Sequence, residues 1–172
     1  MPRDATTTTP GRILAPLQRF ARCRRATTAL EFALVGPILI LLVLMIIENG
    51  LMLFAQAVLD NATVVATRQL QINTINTSAD FRTAVCSNMS NFFNCANLQF
   101  YVNSSPTGFP SVVMPSTSGA FAATVFTPGN PGDYVLAEVA YNRAYVAPWL
   151  IKLAGPDWIL LATQAFQNEP SL

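Results

Sequence analysis

A long apolar run dominates the pattern of hydrophobic and polar positions along the chain. Residues 32–47 contain no polar side chain, the triplet Glu48-Asn49-Gly50 interrupts the run, and residues 51–55 resume it. A helix needs about 20 predominantly apolar residues to cross the hydrocarbon core of a bilayer. Residues 29–54 are long enough, so we predict a membrane helix here. A buried helix of a soluble core is the alternative.

The apolar pattern continues beyond this run at helical spacing. Apolar positions recur three or four residues apart, at Val58, Leu59, Ala62, Val65, Ala66 and Leu70. We therefore predict that the membrane helix continues as an amphipathic half to about Gln71. The simplest interpretation of its apolar stripe is that it covers the protein's own outer domain, the remainder of the chain after residue 71. Packing of the stripe against neighbouring subunits is the second interpretation.

The remainder of the chain, residues 72–172, has the pattern of a small α+β domain. Ser78–Met89 is predicted to form a short helix with Ser78 as its N-cap and with Phe81, Val85 and Met89 on one face. Residues 148–153 are predicted to form another short helix. Four strand candidates are separated by Pro- and Gly-rich turns, namely 98–102, 120–126, 134–141 and 158–166.

Short connections between consecutive strands favour an antiparallel sheet. The predicted fold class is therefore α+β, in which a long N-terminal membrane helix continues into an amphipathic half that packs against a small antiparallel sheet. The corresponding domain boundaries are 1–26 for a basic leader, 27–71 for the helix and 72–172 for the outer domain.

Charge changes this picture by setting an orientation. The formal net charge is +1, but six of the ten basic residues lie in the first 25 residues beside one acid, Asp4. Arginines that precede a membrane helix favour a cytoplasmic N-terminus. The outer domain then faces away from the cytoplasm. A near-neutral chain also lacks the basic surplus that binding to nucleic acid requires.

The apolar run does not resemble a removable secretory signal. It is longer than the roughly 7–15 apolar residues of such signals. The segment is therefore predicted to remain as an anchor or as a working helix.

Three cysteines divide between the two sides of the predicted membrane. Cys86 and Cys95 lie nine residues apart in the outer domain, on the side where disulfides persist. We predict that they form a disulfide, with two free buried cysteines as the alternative. Cys23 lies in the cytoplasmic leader and is predicted to have no partner.

Candidate catalytic chemistry is sparse. The chain has no histidine, and its outer acids, including Asp133, Glu138 and Asp157, are scattered rather than paired, so no general acid and base are evident. The cysteines have no companion ligands for a metal. We expect neither an enzyme nor a cofactor nor a metal site. The informative acids are Glu31 and Glu48 at the two ends of the apolar run, where a carboxylate needs either a partner or access to solvent.

These residues together resemble a known family. Residues 24–37 read Arg-Arg-Ala-Thr-Thr-Ala-Leu-Glu-Phe-Ala-Leu-Val-Gly-Pro, residues 46–50 read Ile-Ile-Glu-Asn-Gly, and residues 162–170 read Ala-Thr-Gln-Ala-Phe-Gln-Asn-Glu-Pro. In this order they resemble the TadE-like family of pseudopilins, or minor pilins, of tight adherence (Flp-type) pilus systems.

The resemblance implies specific roles for residues of the helix. A prepilin peptidase would cut between Ala26 and Thr27, and Glu31, then the fifth mature residue, would neutralise the N-terminal amine of a neighbouring subunit. Gly36 and Pro37 would kink or locally unwind the helix. Ala26 stands where the family's processing usually uses glycine, so an uncleaved anchor, as in the related larger TadG-type proteins, is the alternative.

The resemblance also implies partners and a location. The partners would be other pilins or pseudopilins and the tight adherence inner-membrane assembly platform. The protein would cross the bacterial inner membrane once, with its C-terminal domain in the periplasm or outside the cell, and could enter the pilus. A fixed component of the secretion machine, or a surface binding module, is the alternative function.

Overall fold

The structure is a computed structural model of the 172-residue chain. It describes residues 24–89, 93–144 and 158–170. The predicted leader upstream of residue 24, which includes Cys23, and the predicted short helix at 148–153 lie outside the described residues. By contacts the chain divides into two units, Met1–Ile47 and Glu48–Leu172.

The first element is the helix α1, which spans Arg24–Gln71. Asn73 ends it with a left-handed backbone (φ 55°), a conformation that asparagine tolerates better than most residues. The amide of Asn73 donates to the carbonyl of Leu70 at 3.0 Å, and the amide of Thr74 donates to that of Gln69 at 2.9 Å. The predicted helix and its continuation to Gln71 are confirmed.

The amphipathic half of α1 buries its apolar stripe in the core of the second unit. Leu59, Ala62, Ala66 and Leu70 are each at most 1% exposed. They belong to the same apolar cluster as side chains of the sheet and of the second helix. The simpler interpretation of the stripe, that it covers the protein's own outer domain, is therefore confirmed.

The second helix, α2, spans Ser78–Asn88. The N-cap is Thr77 rather than the predicted Ser78, because the Thr77 side chain accepts a hydrogen bond from the amide of Asp80 at 3.2 Å. Phe81, Val85 and Met89, which were predicted to share one face, are all buried, although Met89 is the C-cap rather than part of the helix. Phe81 packs edge-on against the ring of Phe100 at 5.5 Å between centroids, which fixes α2 against the sheet.

Three strands of the described chain form an antiparallel sheet in the order β1-β2-β3. They are β1 (Leu98–Ser105), β2 (Tyr134–Arg143) and β3 (Trp158–Gln167), each slightly longer than predicted. Alternate residues of the central strand β2 face the core that α1 covers, namely Val135, Ala137, Val139 and Tyr141.

The predicted strand at 120–126 is wrong. Within the described residues this segment makes an isolated parallel bridge, in which Phe126 lies opposite Val102. At one end of the segment, the amide of Ser116 donates a hydrogen bond to the carbonyl of Ala120, so this end belongs to a turn. At the other end, Pro128 lies two residues after Phe126 and has no N–H with which to continue a ladder.

Two glutamines of α1 attach the helix to the outer edge of β3. Gln56 Nε2 donates to the carbonyl of Leu161 at 3.0 Å, and Gln71 Nε2 donates to that of Gln167 at 3.2 Å. The amide of Glu169 in turn donates a hydrogen bond to the carbonyl of Gln71 at 3.3 Å. These bonds use carbonyls of an edge strand that would otherwise be available for pairing with another chain.

The connection between α2 and β1 is held at two points. Cys86 and Cys95 form a disulfide with their Cα atoms 5.9 Å apart, so the predicted pairing is confirmed. The Nη1 atom of Arg82 donates to the carbonyls of Cys95 and Leu98 at 3.2 and 3.0 Å, and the guanidinium lies 5.1 Å from the ring centroid of Phe100. Covalent and charged contacts thus fix the same short connection.

We expect the disulfide to stabilise the second unit by about 2–4 kcal/mol, because it closes a short loop and restricts the unfolded chain. Reduction, or the Cys86→Ser/Cys95→Ser variant, should lower the urea midpoint of the protein in detergent. A Cys23→Ala background leaves only this pair. Unchanged electrophoretic mobility on reduction of that variant would contradict the pairing, and Cys86→Ser serves as the unbridged control.

Candidate functional site

The candidate site is the N-terminal part of α1, where apolar side chains are exposed rather than buried. In the described structure a window of 18 residues has a mean hydropathy of 2.8 and only 6% of it is buried, so the helix is long and apolar enough to cross a membrane. Leu30, Phe32 and Ile38 are 63%, 77% and 68% exposed. A helix inside a soluble core would bury such side chains, so the packing favours a surface for lipid or for other helices.

Glu31 lies within this apolar surface. Its side chain is exposed, and the neighbouring Leu30 and Phe32 are among the most exposed apolar side chains of α1. A carboxylate in these surroundings can form an ion pair with an amine brought to its level from outside the helix.

The predicted processing site, between Ala26 and Thr27, lies within α1, shortly after Arg24, the first residue that the structure describes.

The predicted helix break lies at Gly36 and Pro37, and α1 continues through both residues. Because Pro37 has no N–H, the carbonyl of Ala33 cannot receive its usual helical hydrogen bond. A Cβ added to Gly36 would lie 3.6 Å from Cε1 of Phe32, which is ordinary van der Waals contact. The helix is therefore continuous at this position but lacks one backbone hydrogen bond.

Glu48, the acid at the other end of the apolar run, is only 9% exposed. A solvated boundary position therefore does not describe it. It is the first residue of the second unit, so the change from exposed to buried side chains along α1 occurs at this acid. The sequence pattern identified Glu48 as a notable position but did not predict that it is buried.

Glu138 is a buried acid that sequence reasoning missed. It lies in the middle of β2, opposite Tyr101 of β1 and Thr163 of β3, and its side chain is fully buried. Oε2 accepts a hydrogen bond from the amide of Val113 at 3.0 Å, while Oε1 has no partner in the described structure. Burial raises the pKa of Glu138, and the bond from Val113 opposes this change in part.

No signal in the sequence identified the burial of Glu138. Its neighbours Ala137 and Val139 face the core, so strand alternation places Glu138 on the opposite, nominally solvent-facing side. The segment that includes Val113 folds over that side of the sheet. Long-range loop packing, rather than local pattern, therefore makes the residue unusual.

Asn168, in the C-terminal motif, closes the loop before β2. It is 2% exposed, and its Nδ2 atom donates to the carbonyls of Pro128 and Asn130 at 2.8 and 3.2 Å. Gly129 sits in the same turn with φ 80°, and a Cβ there would come within 2.8 Å of Cβ of Ser104. The motif therefore has a structural role in holding the end of β3 against this turn.

The described residues contain no group of three or more His, Cys, Asp or Glu side chains that could hold a metal ion.

Comparison with known proteins identifies the same segment. Residues 26–68 match the family model described as TadE-like protein, and this segment covers about a quarter of the chain. The match begins at Ala26 and ends within the amphipathic half of α1, so the resemblance stated from the sequence is confirmed for the helix. It does not extend to residues 162–170. No curated protein and no solved structure matches the chain.

The raised pKa of Glu138 leads to a pH-dependent stability. Its folded pKa lies above the ordinary value of 4.5, so its favourable contribution is complete below that pH. The contribution is lost as the pH rises through the folded pKa. We expect the free energy of unfolding to fall as the pH rises from about 4.5 to neutrality, and Glu138→Gln to remove most of that fall.

At pH values above the folded pKa of Glu138, Glu138→Gln should raise the free energy of unfolding by about 1–3 kcal/mol, because the carboxylate is then a buried charge with one unpaired oxygen. Urea denaturation of the protein in non-ionic detergent at several pH values measures this. Glu169→Gln, at an exposed acid, is the matched control and should have little effect. The same pH dependence in Glu138→Gln as in the unaltered protein would show that Glu138 is not its source.

Proposed function

We propose that this protein is a non-catalytic minor pilin or pseudopilin that takes part in the assembly of a tight adherence pilus. The observation that carries the proposal is the match of residues 26–68 to the TadE-like family, whose members are generally structural and pilus-associated. The exposed apolar side chains of the same segment support it, since they suit first a bilayer and then contact with other helices.

In this proposal Glu31 specifies how subunits align. Cleavage between Ala26 and Thr27 would create an amine at residue 27, and an amine in apolar surroundings needs a countercharge as much as a buried carboxylate does. Within one chain the new amine lies one turn from Glu31. The amine of a neighbouring subunit can reach Glu31 only in a particular axial register, so pairing between subunits selects that register.

The break in hydrogen bonding at Pro37 would help a subunit leave the bilayer. The unpaired carbonyl of Ala33 weakens the helix at one point within the apolar segment. Bending there would let the first turns of α1 follow a neighbouring helix while the outer unit stays intact. The continuous α1 would then represent the relaxed form of the subunit.

The proposed arrangement follows the domain boundaries expected from the sequence. Residues 1–26 would be a cytoplasmic leader, 27–71 would cross the inner membrane and extend beyond it, and 72–172 would lie in the periplasm or outside the cell. A disulfide between Cys86 and Cys95 supports this orientation, because disulfides persist in oxidising compartments. The partners would be other pilins or pseudopilins, the inner-membrane assembly platform and a prepilin peptidase.

The second candidate function is an unprocessed membrane anchor of the secretion machine or of a surface binding module. The specific observation that favours it is Ala26, which stands at the position before the proposed cleavage, where the family usually has glycine. In that case Glu31 would have no new amine to neutralise.

The mass of the mature protein separates the two functions. If the peptidase acts, mass spectrometry of the protein from envelope and from sheared pili should show loss of residues 1–26 and a new N-terminus at Thr27. Ala26→Gly should be processed at least as completely, since it restores the usual residue. An intact N-terminus in cells that carry an active peptidase would favour the anchor.

Glu31→Gln tests the ion pair directly. We expect the variant to insert in the membrane and fold normally, yet to lower pilus number strongly, because the neutral amide cannot offset a neighbouring amine. Counting pili by electron microscopy, with membrane fractionation as the check on insertion, measures both effects. Glu169→Gln is the control for the loss of one acid, and normal piliation in Glu31→Gln would refute the role of Glu31.

A further inference from the structure

One end of the sheet in the second unit combines a cation, an aromatic side chain and exposed apolar residues of α1. Arg143, at the end of β2, lies opposite Trp158, at the start of β3. The Nη1 atom of Arg143 donates to the carbonyl of Leu51 at 2.9 Å, which places the guanidinium at the level of that helical turn. We call Leu51, Phe54, Arg143 and Trp158 the basal surface.

The two aromatic side chains of the basal surface are largely exposed. Phe54 is 54% exposed and Trp158 is 45% exposed. A cavity of about 410 Å³ opens beside Arg143, with Leu51 and Phe54 on one wall and Tyr141 on another. The guanidinium carries five N–H donors, of which the bond to the carbonyl of Leu51 uses one.

The positions of Leu51 and Phe54 along α1 indicate their depth relative to a bilayer. About 20 helical residues cross the hydrocarbon core, so a span that begins at Leu30 ends near Asn49. Leu51 and Phe54 follow within the next two turns and therefore fall at the level of the lipid headgroups. Arg143 is tied to Leu51, and Trp158 is paired with Arg143, so both belong to that same level.

We propose that the basal surface binds phospholipid headgroups of the leaflet from which α1 emerges. The guanidinium of Arg143 binds a lipid phosphate, since its planar donors match phosphate oxygens. Trp158 sits in the interface, where tryptophan is enriched, while Leu51 and Phe54 contact the upper acyl chains. This inference rests on the membrane insertion of α1 in the proposed function.

Three features favour lipid over a second copy of the chain as the occupant. The surface continues directly from the apolar segment of α1 along the chain. Its charged member is a cation, which complements phosphate. Its aromatic member is tryptophan, the side chain that partitions most readily to the interface. A second copy would be an alternative occupant, and the experiment below distinguishes it.

Fluorescence quenching in liposomes tests the proposal. The full-length chain carries two tryptophans, so Trp149→Phe leaves Trp158 as the reporter. The protein is reconstituted in phosphatidylethanolamine and phosphatidylglycerol liposomes that contain lipids brominated near the top of the acyl chains. We expect Trp158 to lose most of its emission, and less to be lost with lipids brominated near the bilayer centre.

A matched control reports from the other end of the sheet. Phe109 is 55% exposed and packs at 5.0 Å against Tyr134, the first residue of β2, whereas Arg143 is the last. The control carries Trp149→Phe, Trp158→Phe and Phe109→Trp, and its emission should be unaffected by either lipid. Arg143→Gln should reduce the quenching of Trp158, and Arg143→Lys should retain it, because lysine keeps the charge.

The possible outcomes separate this inference from the proposed function. If the protein does not float with the liposomes, membrane insertion fails and both proposals are overturned. If it floats but Trp158 is quenched no more than the Phe109→Trp control, the basal surface does not bind lipid while the anchor stands. Emission of Trp158 that follows the protein-to-lipid ratio, without quenching by bromine, would identify a second copy as the occupant and overturn the lipid proposal.

Discussion

The stability of the second unit depends on the packing of the amphipathic half of α1 against one face of the sheet. A small antiparallel sheet needs an apolar cover to be stable in water, and Leu59, Ala62 and Leu70 provide it from the helix. Gln56 and Gln71 add directional bonds to the edge strand β3, so the cover is also held in register.

The other elements of the second unit are arranged around the sheet that α1 covers. Helix α2 and its disulfide close the core beside β1, while the C-terminal Asn168 closes the turn before β2. On the opposite face of the sheet, a long connection contributes the amide of Val113 to the buried carboxylate of Glu138. The two faces therefore differ in kind, since one is an apolar core and the other contains an ionisable group that a loop shields from water.

The same helix serves two environments, which links the fold to the proposed function. Up to Ile47 its apolar side chains are exposed, and from Glu48 onward an apolar stripe is buried against the protein itself. A subunit that must move from a bilayer into a fibre needs this division, because the exposed half can exchange lipid for other helices while the buried half keeps the outer unit folded. Glu31, Pro37 and the residues around the proposed cleavage site all lie in the exposed half.

The sequence by itself determined the elements whose signals are local. Helical periodicity predicted α1 to its end at Gln71, alternation and turn residues predicted the three strands, and the spacing of Cys86 and Cys95 with the inferred compartment predicted the disulfide. It also pointed to the family that residues 26–68 match. Each of these depends on a residue's own preference or on near neighbours.

Only the tertiary structure decided features that depend on distant segments. The N-cap is a local exception that the pattern still missed, since Thr77 accepts a hydrogen bond from the amide of Asp80. The contact of Phe126 with the distant Val102 is a single bridge. The burial of Glu138 requires a loop that crosses the sheet, and the position of Arg143 requires its bond to Leu51, 92 residues away in the chain. Local patterns carry no information on such contacts, because the chain must fold before the partners meet.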